Sequence, residues 1–116
     1  MGSKVVIYHN PRCSKSRQTL ALLQEQGVEP EVVEYLKAPP SASKVKALLK
    51  QLGGEPSALL RKKEAPYKEL GLSKDSSAKA VAEAIAEHPV LMERPLVVAN
   101  GKAALGRPPE NVLEIL

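Results

Sequence analysis

The apolar pattern opens with Val5-Val6-Ile7-Tyr8, four consecutive apolar residues that stop at the turn-prone His9-Asn10-Pro11. An unbroken run of this length predicts a strand buried on both faces. The pattern then takes a helical spacing, with Leu20 and Leu23 on a core face and Gly27, just after Gln26, placed to end the helix in a left-handed conformation. Val32-Val33-Glu34-Tyr35-Leu36 predicts a second strand. Strand, helix and strand in this order form a βαβ unit, whose crossover is expected to be right-handed.

After Pro39-Pro40 the period changes. Val45, Leu48, Leu49 and Leu52 recur at i, i+3, i+4 and i+7 before Gly53, the spacing of an amphipathic helix. Short helical turns are expected around Ser57–Leu60 and Tyr67–Leu70, and Ala78, Val81, Ala82 and Ile85 mark another helix that ends before Pro89. Leu96-Val97-Val98-Ala99 and Lys102-Ala103-Ala104-Leu105 then flank Asn100-Gly101, a strong hairpin signal because a type I′ turn needs two residues that tolerate positive φ. Pro108-Pro109 leads into a terminal helix over Glu110–Leu116, with Val112, Leu113 and Leu116 available to pack. The order βαβ, helical insertion at about 41–90, ββα predicts an α/β fold with a thioredoxin-like mixed sheet.

Composition narrows this picture. A chain of 116 residues is expected to form one domain, 1–116, because a second core of useful size could not be buried. Phe and Trp are absent, so the core must be aliphatic, with Tyr8, Tyr35 and Tyr67 as the only aromatics. No apolar run approaches the roughly 20 residues that span a bilayer, and the first residues lack the order of a secretion signal. A cytoplasmic protein with no membrane partner is expected. The net charge of +4 raises the question of nucleic acid, but only Arg61-Lys62-Lys63 forms a basic run and no aromatic is interleaved to stack on bases. Nucleic acid is not an expected partner.

The single cysteine, Cys13, excludes an internal disulfide and fits a reducing compartment. It falls between strand and helix, near the first helical turn, where unpaired backbone N–H groups and the positive end of the dipole favour a thiolate. Pro11 restricts the loop, Ser14 and Ser16 can cap free amides, and Arg12, Lys15 and Arg17 add positive potential. His9, if protonated, would add more. A buried, inert thiol is the usual fate of a lone cysteine, but the polar, basic surroundings of Cys13 favour a reactive one. In Cys13-Ser14-Lys15-Ser16 the second cysteine of a C-x-x-C motif is replaced by Ser16, which closes any dithiol cycle within one molecule. With one Cys and two His a dedicated zinc site is not expected, and no flavin, nicotinamide or phosphate-loop fingerprint is present, so no bound cofactor is expected.

The segment Ile7-Tyr8-His9-Asn10-Pro11-Arg12-Cys13-Ser14-Lys15-Ser16-Arg17 resembles the active-site segment of glutathione/glutaredoxin-dependent arsenate reductases. Leu59-Leu60-Arg61-Lys62, Arg94-Pro95-Leu96-Val97-Val98 and Gly106-Arg107-Pro108 resemble the family's three further motifs, so the similarity spans nearly the whole chain. The resemblance implies that Cys13 is the nucleophile, that Arg61, Arg94 and Arg107 hold the oxyanion together with Ser16, and that His9 tunes the thiolate. Asn10, Arg17 and Pro95 would support the site, with Pro95 in the cis form. It further implies arsenate as substrate, glutathione as co-substrate and glutaredoxin as partner of a monomer. Elementary chemistry agrees, since a tetrahedral oxyanion calls for fork-shaped guanidinium donors. Taken singly, each arginine would be read as a surface residue or an ion-pair member. Two other readings stay open: a glutathione-linked thiol oxidoreductase of another substrate, and an Spx-like transcription regulator, although the latter relies on the C-x-x-C switch that Ser16 removes.

Overall fold

The computed structural model describes residues 4–116; Met1–Ser3, where the search for a secretion signal begins, lie outside the described residues. The chain divides into two compact units, one formed by the segment up to Ala38 together with Arg94–Leu116, the other by Pro39–Glu93.

The first unit carries the sheet. β1 (Val6–Tyr8) pairs in parallel with β2 (Glu31–Val33) and antiparallel with β3 (Leu96–Ala99), which pairs antiparallel with β4 (Lys102–Leu105). The resulting order is β2-β1-β3-β4, a mixed four-stranded thioredoxin-like sheet with β1 central. β1 and β3 carry the apolar residues Ile7 and Val97, which are fully buried against Leu23 of helix α1 (Ser14–Glu25) and Val112. Burying each such side chain contributes about 1.5–3 kcal/mol, so this cluster anchors the unit. α1 ends where Gly27 permits it: Gly27, at φ +77°, donates its N–H to Gln24 O, and Val28 donates to Leu23 O. These bonds satisfy carbonyls that the helix end would leave open. Asn100 (φ 54°) and Gly101 (φ 75°) make the expected two-residue turn between β3 and β4.

Two elements depart from the pattern read along the chain. β2 stops at Val33 rather than Leu36, because the next carbonyl is taken by a turn: Glu34 O accepts from the N–H groups of Lys37 and Ala38. Tyr35 is buried on that turn while Leu36 stays exposed. The terminal helix is a 3₁₀ helix over Pro109–Ile115, not an α-helix. With three residues per turn, Pro109, Val112 and Ile115 share one face, and the first two are buried while Ile115 packs at the edge of the core. Leu113 and Leu116, expected to pack on α-helical spacing, are exposed.

The second unit is helical. α2 (Ala42–Leu52) buries Val45, Leu48 and Leu49, and packs against α4 (Ala78–Glu87), which buries Val81, Ala82, Ala84 and Ile85. Ser41 and Ser77 cap these helices by accepting from the N–H groups of Lys44 and Ala80. Between them lie a 3₁₀ turn at Pro56–Leu59 and the short α3 (Ala65–Glu69), close to where helical turns were expected. A second 3₁₀ turn, Pro89–Leu91, follows α4. A single antiparallel bridge between Leu60 and Met92 is closed by Arg61 N–H to Leu91 O and Glu93 N–H to Leu59 O, both 2.7 Å. Among the described residues no helix is long and apolar enough to cross a membrane.

Candidate active site

The loop from β1 to α1 is fixed by hydrogen bonds along its length. His9 N–H donates to Val33 O (2.8 Å), Asn10 N–H to Ser16 Oγ (3.0 Å), Arg12 N–H to Asn10 Oδ1 (3.0 Å) and Cys13 N–H to Asn10 O (3.0 Å). Arg17 reaches back and donates Nη1–H to Pro11 O at 2.9 Å. Asn10 and Arg17, expected as supporting residues, therefore hold the loop through its backbone. Cys13 is the N-cap of α1, with extended backbone angles (φ −94°, ψ 124°), a free thiol and no side-chain capping bond. Its carbonyl accepts the first helical bond, from Arg17 N–H at 3.0 Å. The sulfur thus sits at the start of a twelve-residue helix whose first N–H groups are not capped by the N-cap side chain, which favours negative charge there.

Ser16 occupies the position of the missing second cysteine and is fully buried. Its Oγ lies 2.6 Å from His9 Nδ1 and accepts from Asn10 N–H, so the hydroxyl ties the histidine to the loop rather than capping the helix. Burial holds the His9 pKa below its ordinary value of 6.5; the Glu34 carboxylate works against this and the Arg17 guanidinium adds to it. His9 is therefore neutral at neutral pH and does not supply the positive charge that a protonated imidazole would bring. A stability prediction follows from the sign of the shift. Because the unfolded chain takes up this proton first, His9 contributes stability that is present above about pH 6.5 and is lost as pH falls toward its lower folded value. Urea titrations from pH 7.5 to 5.5 should show a decline that is shallower in His9→Asn; equal slopes would contradict a buried neutral His9.

Opposite α1, the Arg94–Pro95 peptide bond is cis, as expected for Pro95, and Arg107–Pro108 is a second cis bond not read from the sequence. Arg107 Nη1–H donates to Arg94 O at 3.2 Å, and Gly106 N–H donates to Pro95 O at 2.9 Å, which brings the two arginines together. Thr19 of α1 closes this arrangement. A Cβ on Gly106 would stand 2.7 Å from Pro95 Cγ and closer still to Thr19 Oγ1, whose hydroxyl already donates to Lys15 O. Only glycine permits this approach. Gly106→Ala is expected to cost about 1–3 kcal/mol by overpacking, read as a lower urea midpoint. An unchanged midpoint would show that Thr19 and Pro95 can move apart freely.

Arg61 belongs to the second unit, where Nη1 pairs with Glu64 Oε2 at 3.0 Å and Nε lies 3.8 Å from Glu93 Oε1. Neither carboxylate was singled out from the sequence; Arg61 and Glu64 are joined by a turn in which Glu64 N–H donates to Arg61 O at 3.3 Å, so no helical spacing marks the pair. Among the described residues no three His, Cys, Asp or Glu side chains cluster to hold a metal ion.

A sheet of order β2-β1-β3-β4, a free cysteine at the β1–α1 junction and a cis-proline leading into β3 define a thioredoxin-like thiol protein. The ArsC family model matches residues 8–115, and the chain belongs to that family. It is 58% identical over 118 residues to the uncharacterized Escherichia coli K12 protein YfgD, covering 100% of this chain and 99% of the relative. It is 50% identical over 115 residues to an arsenate reductase of Neisseria meningitidis, covering 97% of this chain and 98% of that one. The solved structure of an arsenate reductase from Vibrio cholerae matches with a TM-score of 0.92 at 55% identity over 100% of both chains.

Proposed function

We propose that this protein is a cytoplasmic, monomeric arsenate reductase in which Cys13 is the nucleophile and glutathione and glutaredoxin supply the electrons. The observation that carries this reading is the free Cys13 thiol at the start of α1, in a chain that matches a named arsenate reductase over 97% of its length. The Cys13 thiolate attacks arsenic(V), forming a sulfur–arsenic bond as one arsenate oxygen leaves as water after protonation. Glutathione thiolate then attacks the Cys13 sulfur. The sulfur–arsenic bond breaks with its electron pair passing to arsenic, which leaves as arsenite, and a Cys13–glutathione disulfide remains. Glutaredoxin removes the glutathione by thiol–disulfide exchange and restores Cys13. With one cysteine in the chain, both steps after the first require an outside thiol.

Arg94 and Arg107 would hold the oxyanion and offset the charge that builds on its oxygens in the transition state. Arg61, which pairs with Glu64 and Glu93, is the third arginine that the family resemblance assigns to the oxyanion. Ser16, buried against His9 and Asn10, would act by holding the loop in register with the thiol. Arsenite formation should require glutathione and glutaredoxin together, and mass spectrometry of protein trapped during turnover should find one glutathione on Cys13. Full activity with thioredoxin alone would contradict the route.

A further inference from the structure

A cleft of about 420 Å³ opens beside the loop that carries Cys13, lined by Asn10, Pro11 and Arg12 on one side and by Glu34, Leu36 and Lys37 on the other. Its volume lies within the range of small-molecule sites. The turn that shortens β2 builds its second wall: Lys37 and Ala38 bond back to Glu34 O, which fixes Leu36 and Lys37 facing the same space as Arg12. Leu36 is 44% exposed, an apolar side chain left uncovered in a polar setting. Lys37 and Glu34 are 3.6 Å apart and well exposed, a weak pair that a ligand can separate at little cost.

The charges in this cleft have a definite pattern. Arg12 and Lys37 are two cations and Glu34 is one anion. A glutathione-type tripeptide carries the reverse set, two carboxylates and one ammonium, around a short thiol-bearing side chain. We propose that this cleft is the binding site for the peptide portion of glutathione, with Arg12 and Lys37 receiving its carboxylates, Glu34 its ammonium, and Leu36 with Pro11 the apolar surface between them. The assignment rests on the proposed use of glutathione as co-substrate. It places recognition of the reductant on the β1–α1 loop and the β2 turn, elements separate from the arginines assigned to the oxyanion.

Two measurements that use no arsenate test the site. In the first, S-methylglutathione, which keeps the charges but has no reactive sulfur, is titrated into the full chain and backbone amide shifts are followed. Saturable shifts are expected at Arg12, Leu36 and Lys37, and Lys37→Glu should weaken binding about tenfold through a charge-assisted contact turned repulsive. Lys46→Glu, at an exposed position of α2, makes the same net-charge change and should bind like wild type. In the second, Cys13 attacks oxidised glutathione: the Cys13–glutathione disulfide forms as the original S–S bond breaks, the Cys13 sulfur is oxidised, and the other glutathione leaves as the reduced thiolate. The rate of this exchange relative to that with uncharged bis(2-hydroxyethyl) disulfide should fall about tenfold in Lys37→Glu, with the uncharged reaction unaltered. Absence of shifts in the cleft, or equal weakening by Lys37→Glu and Lys46→Glu, overturns the assignment and leaves the arsenate reading intact. A protein that reduces no arsenate yet shows both effects keeps the cleft and loses the oxyanion chemistry.

Discussion

Cys13→Ser is expected to abolish arsenate turnover and, at the same time, to raise the thermal stability of the protein. The loss follows from chemistry, since a serine hydroxyl at neutral pH cannot replace a thiolate as nucleophile toward arsenic or as a partner in thiol–disulfide exchange. The gain follows from the helix. Cys13 is the N-cap of α1, and its side chain accepts no bond from the first-turn amides. Serine is among the preferred residues at that position, and a capping hydroxyl is worth about 1 kcal/mol. A melting temperature a few degrees above wild type is the expected size for a chain of this length. The sequence therefore forgoes a helix cap where a thiol is needed, a local conflict of the kind that marks functional positions. Thermal melts and an arsenite assay on the same preparation decide the matter: retained turnover would remove Cys13 from the mechanism, and a lowered melting temperature would show that the thiol makes packing contacts that serine cannot.

The strands and long helices were legible because they obey simple periods. Val45, Leu48 and Leu49 lie on the buried face of α2, and Asn100-Gly101 adopts the positive φ values its turn requires. What escaped was structure in which polar residues do the packing. The buried face of α1 is Ser16, Thr19 and Leu23, at the i, i+3, i+7 spacing of a core stripe. Leu20, Leu23 and the neighbouring apolar residues mark only part of that face, because two of its three buried members are hydroxyl residues. Ser16 is buried because His9 and Asn10 need its oxygen, and Thr19 because Gly106 and Pro95 close against it. The reason for Thr19 lies outside any local pattern, since Gly106 and Pro95 come from the far end of the chain, and that for Ser16 depends on how the β1–α1 loop folds back on the helix. The 3₁₀ turn at Pro109–Ile115 escaped for a related reason: Pro109, Val112 and Ile115 mark a three-residue period, but over seven residues it is hard to separate from an α-helical one. For the site, the contact of Arg107 Nη1–H with Arg94 O and the ion pairs of Arg61 with Glu64 and Glu93 emerge only from coordinates.

Arg94→Ala is expected to lower arsenate turnover by one to two decades while preserving the fold, and Arg94→Lys is expected to recover little of it. Arg94 stands at the cis bond that leads into β3, and its backbone carbonyl accepts from Arg107 Nη1–H at 3.2 Å. Because that contact involves the main chain, truncating the Arg94 side chain leaves Arg107 an anchor, and the effect measured belongs to the lost guanidinium. A charge-assisted bond contributes roughly 1.5–3 kcal/mol, which sets the expected range in rate if it is expressed in the transition state. Lysine retains the charge but presents a single point donor instead of a planar fork, so it cannot bridge two oxygens of one tetrahedral anion. The same contact should be visible without turnover. Sulfate or arsenate should slow alkylation of Cys13 in wild type, and Arg94→Ala should weaken that protection by a similar factor. If Arg94→Ala, Arg107→Ala and Arg61→Ala all keep wild-type protection, Cys13 is a reactive thiol without an oxyanion pocket, and the protein is better read as a glutathione-linked thiol oxidoreductase of another substrate.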